Sequence, residues 1–249
     1  MMRRWITILS ALLAGALAAP AFAAGGGEDL EHAGANVHDM ASVQRGAQTF
    51  FNYCHSCHSA EYMRYQRLAQ DIEGLDEQMV QENFIFGDRE LTDYMIAAMP
   101  EEQAEDWFGK APPDLTLITR SRGEDWVYSF LKGFYLTDEG WNNTVLANAS
   151  MPHVLWELQG IQRPIYETYT DESGQEQSRI KELELDEPGL LTPEEYDRTI
   201  RDLSAFLIYL GEPAILVREG LGVWVLLFLV AFTFLAWLLY HEYWKDVKK

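Results

Sequence analysis

Two cysteines stand three residues apart in this sequence, with a histidine directly behind them: Cys54-His55-Ser56-Cys57-His58. Two thiols at this spacing, followed at once by an imidazole, form the C-x-x-C-H pattern that attaches c-type haem. Each thiol bonds one vinyl group of a single haem, and the histidine is carried under the iron as its proximal ligand. The competing chemistries fit less well. A structural zinc site needs a second pair of ligands, and the chain has no further cysteine to supply one. A redox dithiol has no use for His58.

The group on the other side of the iron decides the chemistry. A methionine there gives a six-coordinate, high-potential electron carrier, whereas an open position admits small molecules. Beyond residue 24, methionines stand at Met40, Met63, Met79, Met95, Met99 and Met151. Met40 precedes the motif, and Met63 follows His58 by so few residues that it stays on the same side of the ring. Met79 and Met95 have no special context. Met99-Pro100 and Met151-Pro152 each put a sulfur on a loop stiffened by proline. Position modestly favours Met151, which follows the Pro-Pro-Asp-Leu turn and precedes the last domain elements. His153 is a rival ligand, read here rather as a surface or propionate-side histidine.

Helices must position these groups. Val43, Ala47, Phe50 or Phe51, and Cys54 recur at helical spacing ahead of the motif, with Gly46 on the face of Phe50. A second helix runs from about 193 to 210. Thr192 and Glu195 form its T-x-x-E capping box, Pro193 takes its first position, and Gly211 and Pro213 end it. Ile200, Leu203, Phe206, Leu207 and Leu210 make its apolar face. "EDWVYSFLKGFY", 124–135, reads as a third helix. Residues 164–186 alternate around a Ser-Gly turn and read as a surface hairpin with solvated charges.

The ends give the compartment. Residues 1–23 carry two arginines, a short apolar run and an Ala21-Phe22-Ala23 cleavage site, the pattern of a secretory signal peptide. "AGGGED", 24–29, reads as a flexible mature start. Leu221 to Tyr240 is an uncharged apolar run long enough to cross the hydrocarbon core. Trp237, Tyr240, Tyr243 and Trp244 supply an aromatic belt, and Lys245, Lys248 and Lys249 favour the cytoplasmic side. The expected division is a signal peptide (1–23), a periplasmic domain (24–217), a transmembrane helix (218–242) set in lipid and a cytoplasmic tail (243–249). The location is the bacterial inner membrane, single-pass. The exported body carries 13 Lys and Arg against 36 Asp and Glu, a net charge of −23. So acidic a surface excludes nucleic acid as a partner. It either keeps the body soluble or speeds encounter with a basic protein.

The stretches "CHSCHSAEYMRYQRL" (54–68), "APPDLTLITRSRGEDWVYSFLKGFY" (111–135), "MPHVL" (151–155) and "FLIYLGEP" (206–213), followed by one terminal span, resemble the cytochrome c1 family. The resemblance runs in order over almost all of the mature chain. It implies a mainly α, class I cytochrome c-like haem domain with loop and short β-hairpin insertions, plus one C-terminal transmembrane helix. It also implies one covalent haem c, held by Cys54, Cys57 and His58, with Met151 as distal ligand. Pro112 and Pro113 fall on the family's proline turn against the haem, and Trp126 on an aromatic beside it. Arg122, with Arg120 as fallback, falls on an arginine that meets a propionate. His153 after the Met-Pro departs from the family pattern.

The function that the resemblance implies is one-electron transfer, with no catalysis by the subunit alone. A Rieske iron–sulfur protein donates and a cytochrome c accepts, inside a dimeric bc1 complex with cytochrome b. The alternatives are a tethered haem enzyme or gas sensor, which requires Met151 not to ligate, and a membrane-anchored cytochrome c serving an oxidase.

Overall fold

The computed structural model describes residues 30–170 and 174–247. The expected signal peptide (1–23) and mature start (24–29) lie outside the described residues, as do 171–173 and 248–249. The elements begin with α1 (Met40–Thr49), a π-helical turn (Phe50–Cys54), β1 (Ala60–Arg64), α2 (Tyr65–Asp71), α3 (Glu77–Asn83), β2 (Tyr94–Met95) and α4 (Glu101–Phe108). They continue with α5 (Ile118–Ser121), α6 (Glu124–Lys132), β3 (Phe134–Thr137), β4 (Gly140–Asn143) and α7 (Trp156–Gln159). β5 (Gly160–Thr170), β6 (Glu176–Pro188), α8 (Pro193–Gly211) and α9 (Ile215–Tyr243) complete the chain. Among the described residues there are three two-stranded sheets, all antiparallel. The architecture is mainly α with hairpin insertions, as the sequence leads one to expect.

The frame is the crossing of α1 and α8. Asp39 caps α1 by accepting from Ser42 N at 3.2 Å, and the helix buries Val43, Gly46 and Ala47. α8 carries the full capping box, Thr192 with Glu195, and buries Tyr196, Ile200, Leu203, Phe206, Leu207 and Leu210. A Cβ on Gly46 would lie 2.0 Å from the carbonyl oxygen of Asp202, so only glycine lets the two backbones meet this closely. Asp202 is buried at the crossing. It accepts from Ser42 Oγ at 2.5 Å and Arg45 Nε at 2.6 Å, which compensates the burial of its charge.

Two details differ from the sequence expectation. α6 ends at Lys132, and Phe134 and Tyr135 belong to β3. Gly133 breaks the helix, and Asn143 Nδ2 donates to the carbonyl of Phe130 at 2.7 Å, closing the helix end from β4. The surface hairpin is longer than 164–186, with paired residues running from Gly160↔Pro188 to Thr170↔Glu176. α9 has 29 residues, about 43 Å at 1.5 Å per residue, and is largely exposed beyond its first turn. Among the described residues it is the one helix long and apolar enough to cross a membrane.

Candidate functional site

The haem motif leaves α1 through the π-helical turn Phe50–Cys54, closed by His55 N–H donating to the carbonyl of Phe50 at 2.9 Å. Phe50 and Phe51 anchor this turn in the core against Phe206, with ring centroids 5.4 and 6.4 Å away. Two passing segments then strap the motif loop. Met99 N donates to Ser56 O at 3.1 Å, and Leu115 N donates to Ser59 O at 2.9 Å. His55 is buried and ties the loop to α2 through Tyr65 OH at 2.9 Å.

The motif opens onto a solvent-open cleft with about 1170 Å³ of empty space. Tyr53, Cys54, Cys57 and His58 form one part of its wall, and Pro112, Pro113, Ile118, Trp126, Val127, Phe130, Leu203 and Leu207 extend it. Met151, Pro152 and Val154 line it as well. The walls are almost wholly apolar, which suits a flat, largely hydrophobic cofactor.

The side chains at the head of the cleft fit a c-type haem. His58 Nδ1 lies 2.7 Å from the carbonyl oxygen of Pro113. That bond makes Nδ1 the protonated nitrogen and leaves Nε2 with a free lone pair, the arrangement of a ligating histidine. Burial lowers the His58 pKa, against the opposing pull of the Pro113 carbonyl and Asp114, so the imidazole is held neutral. Cys54 and Cys57 are not joined in a disulfide. Burial, then the neighbouring Cys57, pushes the Cys54 thiol up to about 12. A redox dithiol works through a lowered thiol pKa, so this environment disfavours that reading.

Of the methionines among the described residues, Met151 is the one that lines the cleft. Met63 and Met95 are buried in the core, Met79 is exposed, and Met40 packs at the core edge. Met99 is tied by its backbone to the motif loop and does not line the cleft. Pro112, Pro113 and Trp126 lie in the cleft wall, with Trp126 stacked on Phe130 at 5.0 Å. Neither arginine lines the cleft. Arg122 sits over the Trp126 ring at 5.3 Å, and Arg120 is drawn off to Glu212. Lys110 does line it, as do Tyr53 and Phe108. Sequence reading passes over these three, because no spacing rule marks them; Tyr53 alone, adjacent to Cys54, carried a hint.

His153 is not at the surface. It is 3 % exposed and lies behind the cleft wall, stacked on Phe134. The expectation of a surface histidine fails because the β3–β4 hairpin covers it.

The helix crossing, the motif loop and the apolar cleft together define a c-type cytochrome domain. Residues 31–176 match the model of the Cytochrome C1 family, and the chain belongs to that family. It is 50 % identical over 228 residues to cytochrome c1 of Allochromatium vinosum, covering 90 % of this chain and 92 % of that protein. It is 26 % identical to cytochrome c1 of Rhodospirillum rubrum over 240 residues, 85 % of this chain and 84 % of that one. A Nitrosomonas europaea protein named ammonia monooxygenase gamma subunit is 42 % identical over 241 residues, 95 % of this chain and 97 % of its own length. The chain is therefore a membrane-anchored c-type cytochrome of the bc1 complex, carrying haem c and serving electron transfer.

Proposed function

We propose that this subunit takes one electron from a Rieske iron–sulfur protein and hands it to a cytochrome c on the periplasmic side of the inner membrane. The observation that carries this reading is one cleft lined by both His58, fixed from behind by Pro113, and Met151. Haem c, when bound, supplies the one-electron chemistry. The chain's own work is to hold and insulate. Cys54 and Cys57 would form the thioether links, and His58 and Met151 would hold the iron. Pro112, Pro113 and Trp126 wall the cleft and keep water out, while Lys110 in the wall and Arg122 over the Trp126 ring would offer positive charge to the propionates. No residue here needs to move a proton or attack a substrate. Residues 1–23 are the signal peptide, 24–217 the periplasmic domain, 218–242 the single span and 243–249 the cytoplasmic tail. The subunit sits with cytochrome b in a dimeric complex.

The test is purification of the full chain in mild detergent. Cytochrome b and a Rieske protein should copurify, and quinol should reduce this haem only when both are present. Isolation of the chain with an oxidase instead would replace the reading. Acidified solvent should leave the haem on the parent chain and release it from a Cys54→Ala, Cys57→Ala double variant. Release from the parent would overturn the covalent attachment.

The net charge predicts a salt dependence. α4 carries Glu101, Glu102, Glu105 and Asp106, and it ends at Phe108, in the cleft wall. The rate constant for electron transfer to a basic acceptor should fall as ionic strength rises, because screening shortens the field to about 8 Å at physiological salt. A flat profile would reduce the acidity to a solubility device.

A further inference from the structure

We propose that His153 is a positioning residue for Met151: its ring is the peg that clamps the loop 151–155 to the β3–β4 hairpin and so fixes the sulfur in the cleft. This rests on the assignment of Met151 as distal ligand. The His153 ring lies flat on Phe134, with centroids 4.8 Å apart and planes 7° from parallel. It meets Trp141 edge-on at 5.1 Å. Phe134 opens β3 and Trp141 belongs to β4, so the two strands of one hairpin grip the ring.

The loop alternates about this grip. Met151, Pro152 and Val154 line the cleft, while His153 and Leu155 are buried away from it. The far end of the loop is fixed too. Trp156 N donates to His153 O at 3.4 Å as α7 begins, and Gln159 Nε2 on that helix donates to Lys132 O at 2.9 Å. A ring clamped in mid-loop leaves the residue two positions before it little freedom to wander.

The clamp is the flat ring and not its polarity. His153 Nε2 and Gln159 Oε1 are buried without a well-formed hydrogen bond, and burial outweighs the pull of the Gln159 side chain on the imidazole. A buried polar atom left unpaired costs stability instead of adding it. A phenyl ring in the same slot should therefore hold the loop as well.

The test uses the full-length, haem-loaded chain in detergent, with imidazole as competitor for the ferric iron. Exogenous ligand binds only when the loop is open, so its apparent affinity follows the open fraction. Each aromatic pair is worth up to about tenfold in an equilibrium constant. His153→Ala should lower the half-saturating imidazole concentration about tenfold or more and weaken the methionine–iron charge-transfer absorption. His153→Phe should stay within about twofold of the parent and keep that absorption. An unchanged His153→Ala overturns the proposal, and so does a His153→Phe that behaves like it. Should His153→Ala fail to accumulate, Trp141→Leu, half-buried and outside the cleft wall, should show a smaller change in the same direction. No change there overturns the proposal as well. Met151→Leu separates the two levels: a parent-like imidazole response in that variant would remove the ligand assignment itself.

Discussion

Met151→Leu is expected to keep the haem attached, lower its reduction potential and let carbon monoxide bind the ferrous iron. Leucine conserves the volume and the fit against Pro152 and Val154, so the fold should stay intact. What goes is the thioether, which favours ferrous over ferric iron and so raises the potential. Axial ligands span ≈ 0.8 V in haem proteins, and a fall on the order of 0.1 V is expected here. A histidine substituting as ligand would block carbon monoxide, but His153 is packed against Phe134 and does not reach the cleft. Redox titration and carbon monoxide difference spectra check this. Met99→Leu should match the parent in both, since Met99 does not line the cleft. A potential drop in Met99→Leu with a parent-like Met151→Leu would reverse the assignment.

Gly46→Ala should destabilise the domain by about 3 kcal/mol, at the upper end of overpacking costs. The sign is the informative part. In an open helix, alanine is better than glycine by about 1 kcal/mol. Here the added Cβ would meet Asp202 O at 2.0 Å and its carbonyl carbon at 2.7 Å, and backbone cannot rotate out of the way. The helices must spread, and α8 brings Leu203 and Leu207 to the cleft, so the haem pocket should loosen with them. Thermal unfolding should show a fall of roughly 6–12 °C for a domain of this size. A melting point equal to or above that of the parent would mean that the two helices do not cross in contact.

What the sequence discloses here is local chemistry. Cys54, Cys57 and His58 announce themselves because one short peptide carries the whole attachment site. Thr192 and Glu195 do the same, since a capping box closes within four residues. Gly46 could be read as a small residue on an apolar face, although its partner Asp202 could not. The hidden features depend on pairings across the chain. His153 looks like a ligand or a surface group until Phe134 and Trp141 arrive from another hairpin to enclose it. Arg120 carries no sign that Glu212, on the far side of the sequence, will claim it. The end of α6 at Lys132 is set partly by Asn143 on β4. The π-helical turn has no residue signature, because it is a matter of hydrogen-bond phase and not of side-chain type.

The join between α8 and α9 bears on how the electron travels. Three residues, Glu212 to Ala214, separate the two helices, and one of them is Pro213. Ile215 and Leu216, in the first turn of the membrane helix, pack against the domain core. Glu212 holds Arg120 of the domain and Arg218 of the anchor together, and His38 meets Glu219 at 2.9 Å. Such exposed ion pairs are individually weak, but a short proline-containing joint with apolar packing leaves no tether to swing on. The haem domain is thus held close to the head of α9. Under the proposed function, delivering and collecting the electron would then fall to partners that come to its cleft.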